Sequence, residues 1–229
     1  QAERLRAQRL DALIARACCD SPFYRRRAHG PRLADFAPVE KAELMQHFDE
    51  WATDRRITRA AAAAFLADPS CIADAWLGKY LLWTSSGTSG VPGWFVQDAQ
   101  SLAAYDAIDA LRLRGARGFQ NQLGQWGLGQ RFAFVGASGG HFAGVVSMQR
   151  LRRVVPSLLQ PEIQILSVQQ PLRAIAEALQ EMQPSVLITY PSCAAALAQM
   201  QQAGALHLRL QEVWLGGEQL SPGQRRQIE

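Results

Sequence analysis

The sequence predicts an α/β fold: a largely parallel sheet flanked by helices, with an N-terminal helical lead-in. Three observations carry this expectation. Short apolar runs at 80–84, 131–135, 162–168, 186–189 and 212–215 read as strands. Amphipathic or Ala-rich stretches of helical period stand between several of them, as parallel crossovers require. Before residue 79 the patterns are helices and turns. The expected organisation is a helical segment over 1–78 and an α/β nucleotide-binding subdomain over 79–229.

Taken in order, Leu10, Leu13, Ile14 and Ala17 fall on one face of a first helix. Ser21-Pro22 breaks it, because the residue before proline avoids helical geometry. A helix over 39–50 places Leu44, Phe48 and Trp51 along one side, and Ala60 to Leu66 is a strong helix former. A strand over 80–84 and another over 93–97 bracket a Ser/Thr/Gly loop. Asp98 caps a helix expected to reach Arg114 and to stop at Gly115. The strand over 131–135 leads into the turn Gly136-Ala137-Ser138-Gly139-Gly140. After the strand over 162–168, Pro171 opens a helix on which Leu172, Ile175, Ala176 and Leu179 share a face. Pro191 starts a further helix behind the strand over 186–189. Gly216-Gly217 follows the strand over 212–215, and Ser221-Pro222 opens the last helix.

Composition narrows the function classes. With 48% hydrophobic residues in 229, the chain can bury a substantial core. No apolar run approaches the roughly 20 residues of a membrane helix, and the opening Gln1-Ala2-Glu3-Arg4-Leu5-Arg6 begins an amphipathic helix unlike a secretory signal. The net charge of +4 is carried almost wholly by arginine, lysine occurring only at 41 and 79. The clusters Arg25-Arg26-Arg27, Arg152-Arg153 and Arg225-Arg226 form no basic stripe with interleaved aromatics, which argues against nucleic-acid binding. Cys18, Cys19, Cys71 and Cys193 lack metal-ligand spacing and read as free thiols of a reducing cytoplasm.

The chemistry concentrates at Thr84-Ser85-Ser86-Gly87-Thr88-Ser89-Gly90. Glycines let such a loop curl its N–H groups inward, and five hydroxyls add donors. The guest that matches is a polyphosphate, each hydrogen bond to a charged oxygen contributing roughly 1.5–3 kcal/mol. The flanking strands argue against a flexible linker. In parallel sheets ligands sit at the carboxyl ends of strands. This loop, the Tyr190-Pro191-Ser192 turn and the Gly216-Gly217-Glu218 turn are all expected at such ends.

Residues 85–92, Ser-Ser-Gly-Thr-Ser-Gly-Val-Pro, resemble the phosphate-binding loop of the adenylate-forming (AMP-binding) superfamily. Ser21-Pro22-Phe23-Tyr24-Arg25-Arg26, the segment 39–45, Ile188-Thr189-Tyr190-Pro191-Ser192 and the segment 215–221 are similar, in order, to segments of its phenylacetate–coenzyme A ligase branch. The resemblance implies ATP-dependent activation of an aromatic carboxylic acid as its acyl-adenylate. Transfer to a thiol follows, of coenzyme A or of a carrier protein. It implies phosphate contacts from Thr84, Ser85, Ser86, Gly87, Thr88, Ser89 and Gly90, and adenine contacts from Gly216, Gly217 and Glu218. Tyr190, His141 and Phe142 are the implied acyl-pocket residues. ATP, magnesium and coenzyme A are the implied cofactors and substrates, in the cytoplasm. A homodimer is a further expectation, from apolar faces on the N-terminal helices. Two departures stand out: the family loop commonly has lysine where Val91 stands, and a small polar or basic residue is frequent where Gly93 stands. The family's magnesium-binding glutamate, ribose-binding aspartate and mobile-domain lysine come later in such chains. The expectation is therefore an N-terminal portion of the large domain, with little or no ligase activity alone.

Two rival readings compete. Residues 136–140 fit G-x-S-x-G after an apolar strand, the context of a serine-hydrolase nucleophile elbow at Ser138. Its partners would be His207 and one of Glu162, Glu177 or Glu181. The other rival is a non-catalytic nucleotide-binding module. A Walker-type NTPase is disfavoured, because no Gly-Lys-Ser/Thr follows the loop.

Overall fold

A computed structural model describes residues 1–85, 90–117, 130–155 and 160–229. They divide into two units, residues 1–68 with 85–95 and residues 69–84 with 96–229.

The first unit is helical. Helix α1 (Ala2–Asp20) ends at Ser21, and Pro22 sits in the first turn of α2 (Pro22–Arg27). The Ser21 hydroxyl donates to the Glu50 carbonyl at 3.1 Å, which satisfies a buried polar side chain. The helix expected over 39–50 is two helices, α3 (Lys41–Gln46) and α4 (Phe48–Trp51). His47 ends one and begins the next at φ −105°, ψ 29°. Its carbonyl accepts N–H groups from both Glu50 and Trp51. Histidine, phenylalanine and aspartate in succession are weak helix formers, so the 3.6-residue apolar pattern survives a break that it does not reveal. Helix α5 (Arg59–Leu66) is capped by Thr58, whose hydroxyl oxygen accepts the Ala61 N–H at 3.2 Å. Phe23, Met45, Phe48, Ile57 and Ala62 form the buried interior of this unit.

In the second unit, β1 (Leu81–Thr84) and the Val96–Gln97 end of β2 (Trp94–Gln97) belong to a two-stranded sheet. Helix α6 (Ala99–Arg117) is opened by Asp98, whose carboxylate accepts the Ser101 N–H at 2.8 Å. It runs through Gly115 rather than stopping there. A helix-interior glycine costs about 1 kcal/mol against alanine, which penalises a helix without ending it.

The main sheet has the order β4-β3-β5-β6, all parallel. Its strands are β3 (Arg131–Gly136), β4 (Glu162–Ser167), β5 (Val186–Thr189) and β6 (Glu212–Leu215). The crossovers are α7 (Ala143–Val154), α8 (Leu172–Met182) and α9 (Pro191–Gln202), with α10 (Pro222–Ile228) after β6. Helix α7 carries no signal that was read from the sequence. Because β4 and β5 flank β3 on opposite sides, the chain reverses its direction of sheet growth there. The gap between β3 and β5 is thus the topological switch point.

Helices cover both faces of this sheet. On one, Ala133, Val135, Leu166 and Leu187 pack with Ile175, Ala176 and Leu179 of α8 and with Cys193 and Leu197 of α9. On the other, Phe132, Ile163 and Val186 meet Met148 and Leu151 of α7. The strands alternate their side chains between two apolar layers, which is why they read as nearly continuous apolar runs. No helix among the described residues is long and apolar enough to cross a membrane.

Candidate active site at the carboxyl edge of the sheet

Thr189 closes β5, and its hydroxyl donates to the Val135 carbonyl of β3 at 2.8 Å, fully inside the protein. One residue later the chain leaves the sheet. Tyr190 caps α9, and its hydroxyl oxygen accepts the Ala137 N–H at 3.1 Å. The phenol therefore spans the switch point, from the end of β5 to the turn after β3.

The Gly216-Gly217-Glu218 turn extends this arrangement. Gly216 N–H donates to the Thr189 carbonyl at 3.2 Å. Gly217 has φ +78°, and a Cβ built there would lie 2.7 Å from Tyr190 Cε1. Only glycine accepts both the left-handed backbone and the ring against it. Glu218 reaches back to α9: its carboxylate accepts the Ser192 N–H and the Ser192 hydroxyl, each at 3.0 Å. A carboxylate at a helix N-terminus satisfies N–H groups that the helix leaves unbonded. Next to it, burial pushes the Cys193 thiol above its ordinary value. A hydrogen bond with Thr189 opposes the rise, and the Glu218 charge adds to it.

Thr84 is placed from the other side of the turn region. Its N–H donates to the His141 carbonyl at 2.7 Å, its hydroxyl approaches the same oxygen at 3.4 Å, and it forms a parallel bridge with Phe142. His141 is buried, while Phe142 is half-buried at the start of α7. Three sequence-predicted residues, Thr84, His141 and Phe142, thus meet through backbone hydrogen bonding.

In the first unit, Ser85 and Gly93 close the neck of the Ser/Thr/Gly loop. Ser85 N–H donates to the Gly93 carbonyl at 2.9 Å, and Gly93 N–H donates to the Ser85 hydroxyl oxygen at 2.8 Å. Gly90 has φ +92°. Ser86, Gly87, Thr88 and Ser89 lie outside the described residues.

The Ser138 alternative loses the histidine it requires. His207 is tied to Gln180 and Gln183 at the end of α8, on the amino-terminal edge of the sheet. Ser138 lies past the carboxyl end of β3, and a six-residue strand separates the two edges by roughly 20 Å. Among the described residues no group of three or more His, Cys, Asp or Glu could hold a metal ion. Sequence reading gave no role to Ala137, and none to Thr189 or Ser192 beyond their place in a strand end and a turn. The first acts through a backbone N–H, and no residue pattern marks that.

This architecture is similar to part of the fold of solved acid–coenzyme A ligase structures. Neither a protein-family model nor a curated protein matches the chain. Among solved structures it is similar to an open conformation of 2-hydroxyisobutyryl-CoA ligase in complex with 2-HIB-AMP and CoA. That match has TM-score 0.58 and 18% identity over 96% of this chain and 45% of the ligase. The same enzyme in its postadenylation state with R3-HIB-AMP gives TM-score 0.56 at 18% identity, over 99% of this chain and 47% of the other. Its thioesterification state gives 0.54 at 20% identity, over 99% and 46%. The chain thus spans about half the length of the ligases it matches.

Proposed function

We propose that this chain takes part in ATP-dependent activation of a carboxylic acid as its acyl-adenylate, with transfer of the acyl group to a thiol such as coenzyme A. In the first step a carboxylate oxygen attacks the α-phosphorus of ATP, the bond to the bridging oxygen breaks, and pyrophosphate leaves. In the second a thiol sulfur attacks the acyl carbon, AMP leaves, and the thiol proton passes to solvent. A carboxylate is a poor acyl donor, and adenylation supplies the leaving group. The phosphoryl step needs positioning and charge neutralisation above all.

The observation that carries this reading is the Tyr190 phenol. It is held by the Ala137 N–H and covered by Gly217, so the turns after β3, β5 and β6 are joined at a switch point. On this reading Gly216, Gly217 and Glu218 form the adenine surface, with Glu218 fixing the turn to α9. Tyr190, His141 and Phe142 border the acyl group. Thr84, Ser85 and Gly90 belong to the phosphate loop with Ser86, Gly87, Thr88 and Ser89. The acid is aromatic or arylalkyl, as the segment similarities to the phenylacetate branch suggest. The chain by itself turns over little or nothing.

Two measurements test this together. The chain should bind ATP in solution, and with ATP and aryl acids alone it should release little pyrophosphate. ATP binding that no carboxylic acid ever converts to a hydroxamate-trappable adenylate, even in the longest form of the protein, would favour a non-catalytic nucleotide-binding module.

A further inference from the structure

Where β5 and β6 end, the polar side chains are tied into the protein. The Thr189 hydroxyl hydrogen goes to the Val135 carbonyl, and the Ser192 hydroxyl hydrogen goes to the Glu218 carboxylate. Tyr190 differs. Its oxygen accepts the Ala137 N–H at 3.1 Å, and among the described residues no group accepts its hydroxyl hydrogen. A phenol carries one donor hydrogen besides its acceptor lone pairs. The N–H at its oxygen polarises the group and makes that hydrogen a better donor.

The ring is also held in place. One edge lies against Gly217, where a Cβ would stand 2.7 Å from Cε1 and 2.8 Å from Cδ1. The ring packs as well on the apolar cluster that contains Leu187, Cys193 and Leu197. Tyr190 is half-buried, so a ligand in the crevice can reach it. Its two polar directions differ. The ring edge faces the Gly216-Gly217 turn, read above as the adenine surface. The hydroxyl reaches the turn that leads from β3 to His141 and Phe142, read above as the acyl border.

We propose that the Tyr190 O–H donates to the acyl oxygen of the substrate, the carbonyl oxygen of the adenylate. The Ala137 N–H holds the phenol in place for that contact. The inference rests on the acyl-adenylate reading above and names the donor that recognises the acyl group. When the thiol sulfur attacks, the carbon–sulfur bond forms and the carbonyl electron pair moves onto this oxygen. The pair returns as the carbon–oxygen bond to AMP breaks. The oxygen carries more charge in that tetrahedral state than in the adenylate, so a fixed donor there favours the transition state. Tyr190 keeps its proton throughout.

Calorimetric titration of the whole chain tests this with two ligands. One is adenosine 5′-N-(phenylacetyl)sulfamate, and the other is its N-phenethyl counterpart, in which a methylene replaces the carbonyl. The parent should prefer the carbonyl ligand. Tyr190→Phe keeps the ring against Gly217 and removes the hydroxyl. That preference should then fall about 3- to 10-fold, the range of one hydrogen bond. The infrared stretch of a 13C-labelled carbonyl on the bound ligand should move to higher frequency in Tyr190→Phe. An unchanged preference with an unmoved stretch would overturn the assignment and leave the adenylate reading standing. Equal loss of both ligands would mean that the hydroxyl serves only the Ala137 turn, which also overturns it. So would a parent chain that binds ATP but neither sulfamate. A parent that binds none of the three removes both proposals.

Discussion

At the scale of single residues, Gly217 and Cys193 bear the heaviest constraints. Gly217→Ala asks alanine to adopt φ +78° and to place Cβ 2.7 Å from the Tyr190 ring. The left-handed conformation costs about 1–2 kcal/mol, and the ring must also move off the Ala137 N–H. Urea denaturation should show a loss of about 2–3 kcal/mol. In a Tyr190→Ala chain the same substitution should cost only the backbone share. Equal costs in both chains would mean that the ring contact carries no energy. Cys193 is one group that makes stability depend on alkaline pH. Its folded value is raised, by burial first, with a Thr189 hydrogen bond opposing and the Glu218 charge adding. Below the unfolded value near 9.0 both states keep the proton, so the thiol's contribution is fully present there. Above it the unfolded chain ionises first, and that contribution is lost as pH rises through the folded value. The denaturation midpoint should therefore fall more steeply from pH 8.5 to 10.5 in the parent than in Cys193→Ala. Parallel pH curves would refute the burial argument.

Among elements, α7 shows how packing overrides propensity. Its second residue, Gly144, lies against the Phe134 ring: a Cβ there would sit 2.2 Å from Phe134 Cζ. A Cβ built on Gly136 would lie 2.5 Å from the same ring. Alanine at 144 would gain about 1 kcal/mol of helix propensity, yet overpacking against a buried ring costs about 1–3 kcal/mol. Gly144→Ala should thus lower the melting temperature, and Phe134→Leu should turn the same change neutral or favourable. A stabilised Gly144→Ala chain with Phe134 intact would show that the ring has room to shift. The same glycines explain what the sequence hid. Gly136-Ala137-Ser138-Gly139-Gly140 read as turn, and Phe142 offers no capping side chain, so nothing announced a helix there. By contrast β5, β6 and the start of α9 were legible to the residue, because Pro191 and Gly216-Gly217 punctuate unbroken apolar runs. The break at His47 and the passage through Gly115 were not, since apolar spacing continues across both. In the site, Tyr190 and Gly217 could be named from sequence. Their contact with each other, and with the Ala137 N–H, depends on sheet order, which no local pattern encodes.

For the molecule as a whole, the second unit has two chemically different edges. At the amino edge, Gln183 and His207 are bonded to each other, and Ser185 hydrogen-bonds Arg131. These contacts join strand entrances. At the carboxyl edge, three strands end in Gly, Ser and Tyr turns, and α9 presents the Ser192 N–H to Glu218. A parallel sheet concentrates such turns on one side because every strand enters from the other. Hydrogen exchange of the chain with and without ATP separates the two edges in one experiment. Saturating ATP should slow exchange in peptides covering 136–138, 190–193 and 216–218, and leave 183–185 and 207–211 unchanged. Phosphate-tail contacts add protection near Thr84, whose N–H is already bonded to His141 and should change less than its neighbours. Tripolyphosphate in place of ATP should lose the protection at 216–218, since it has no base to lay against that turn. Protection confined to the amino edge, or the same pattern with both ligands at 216–218, would remove the adenine assignment and with it the reason for a glycine pair beside Tyr190.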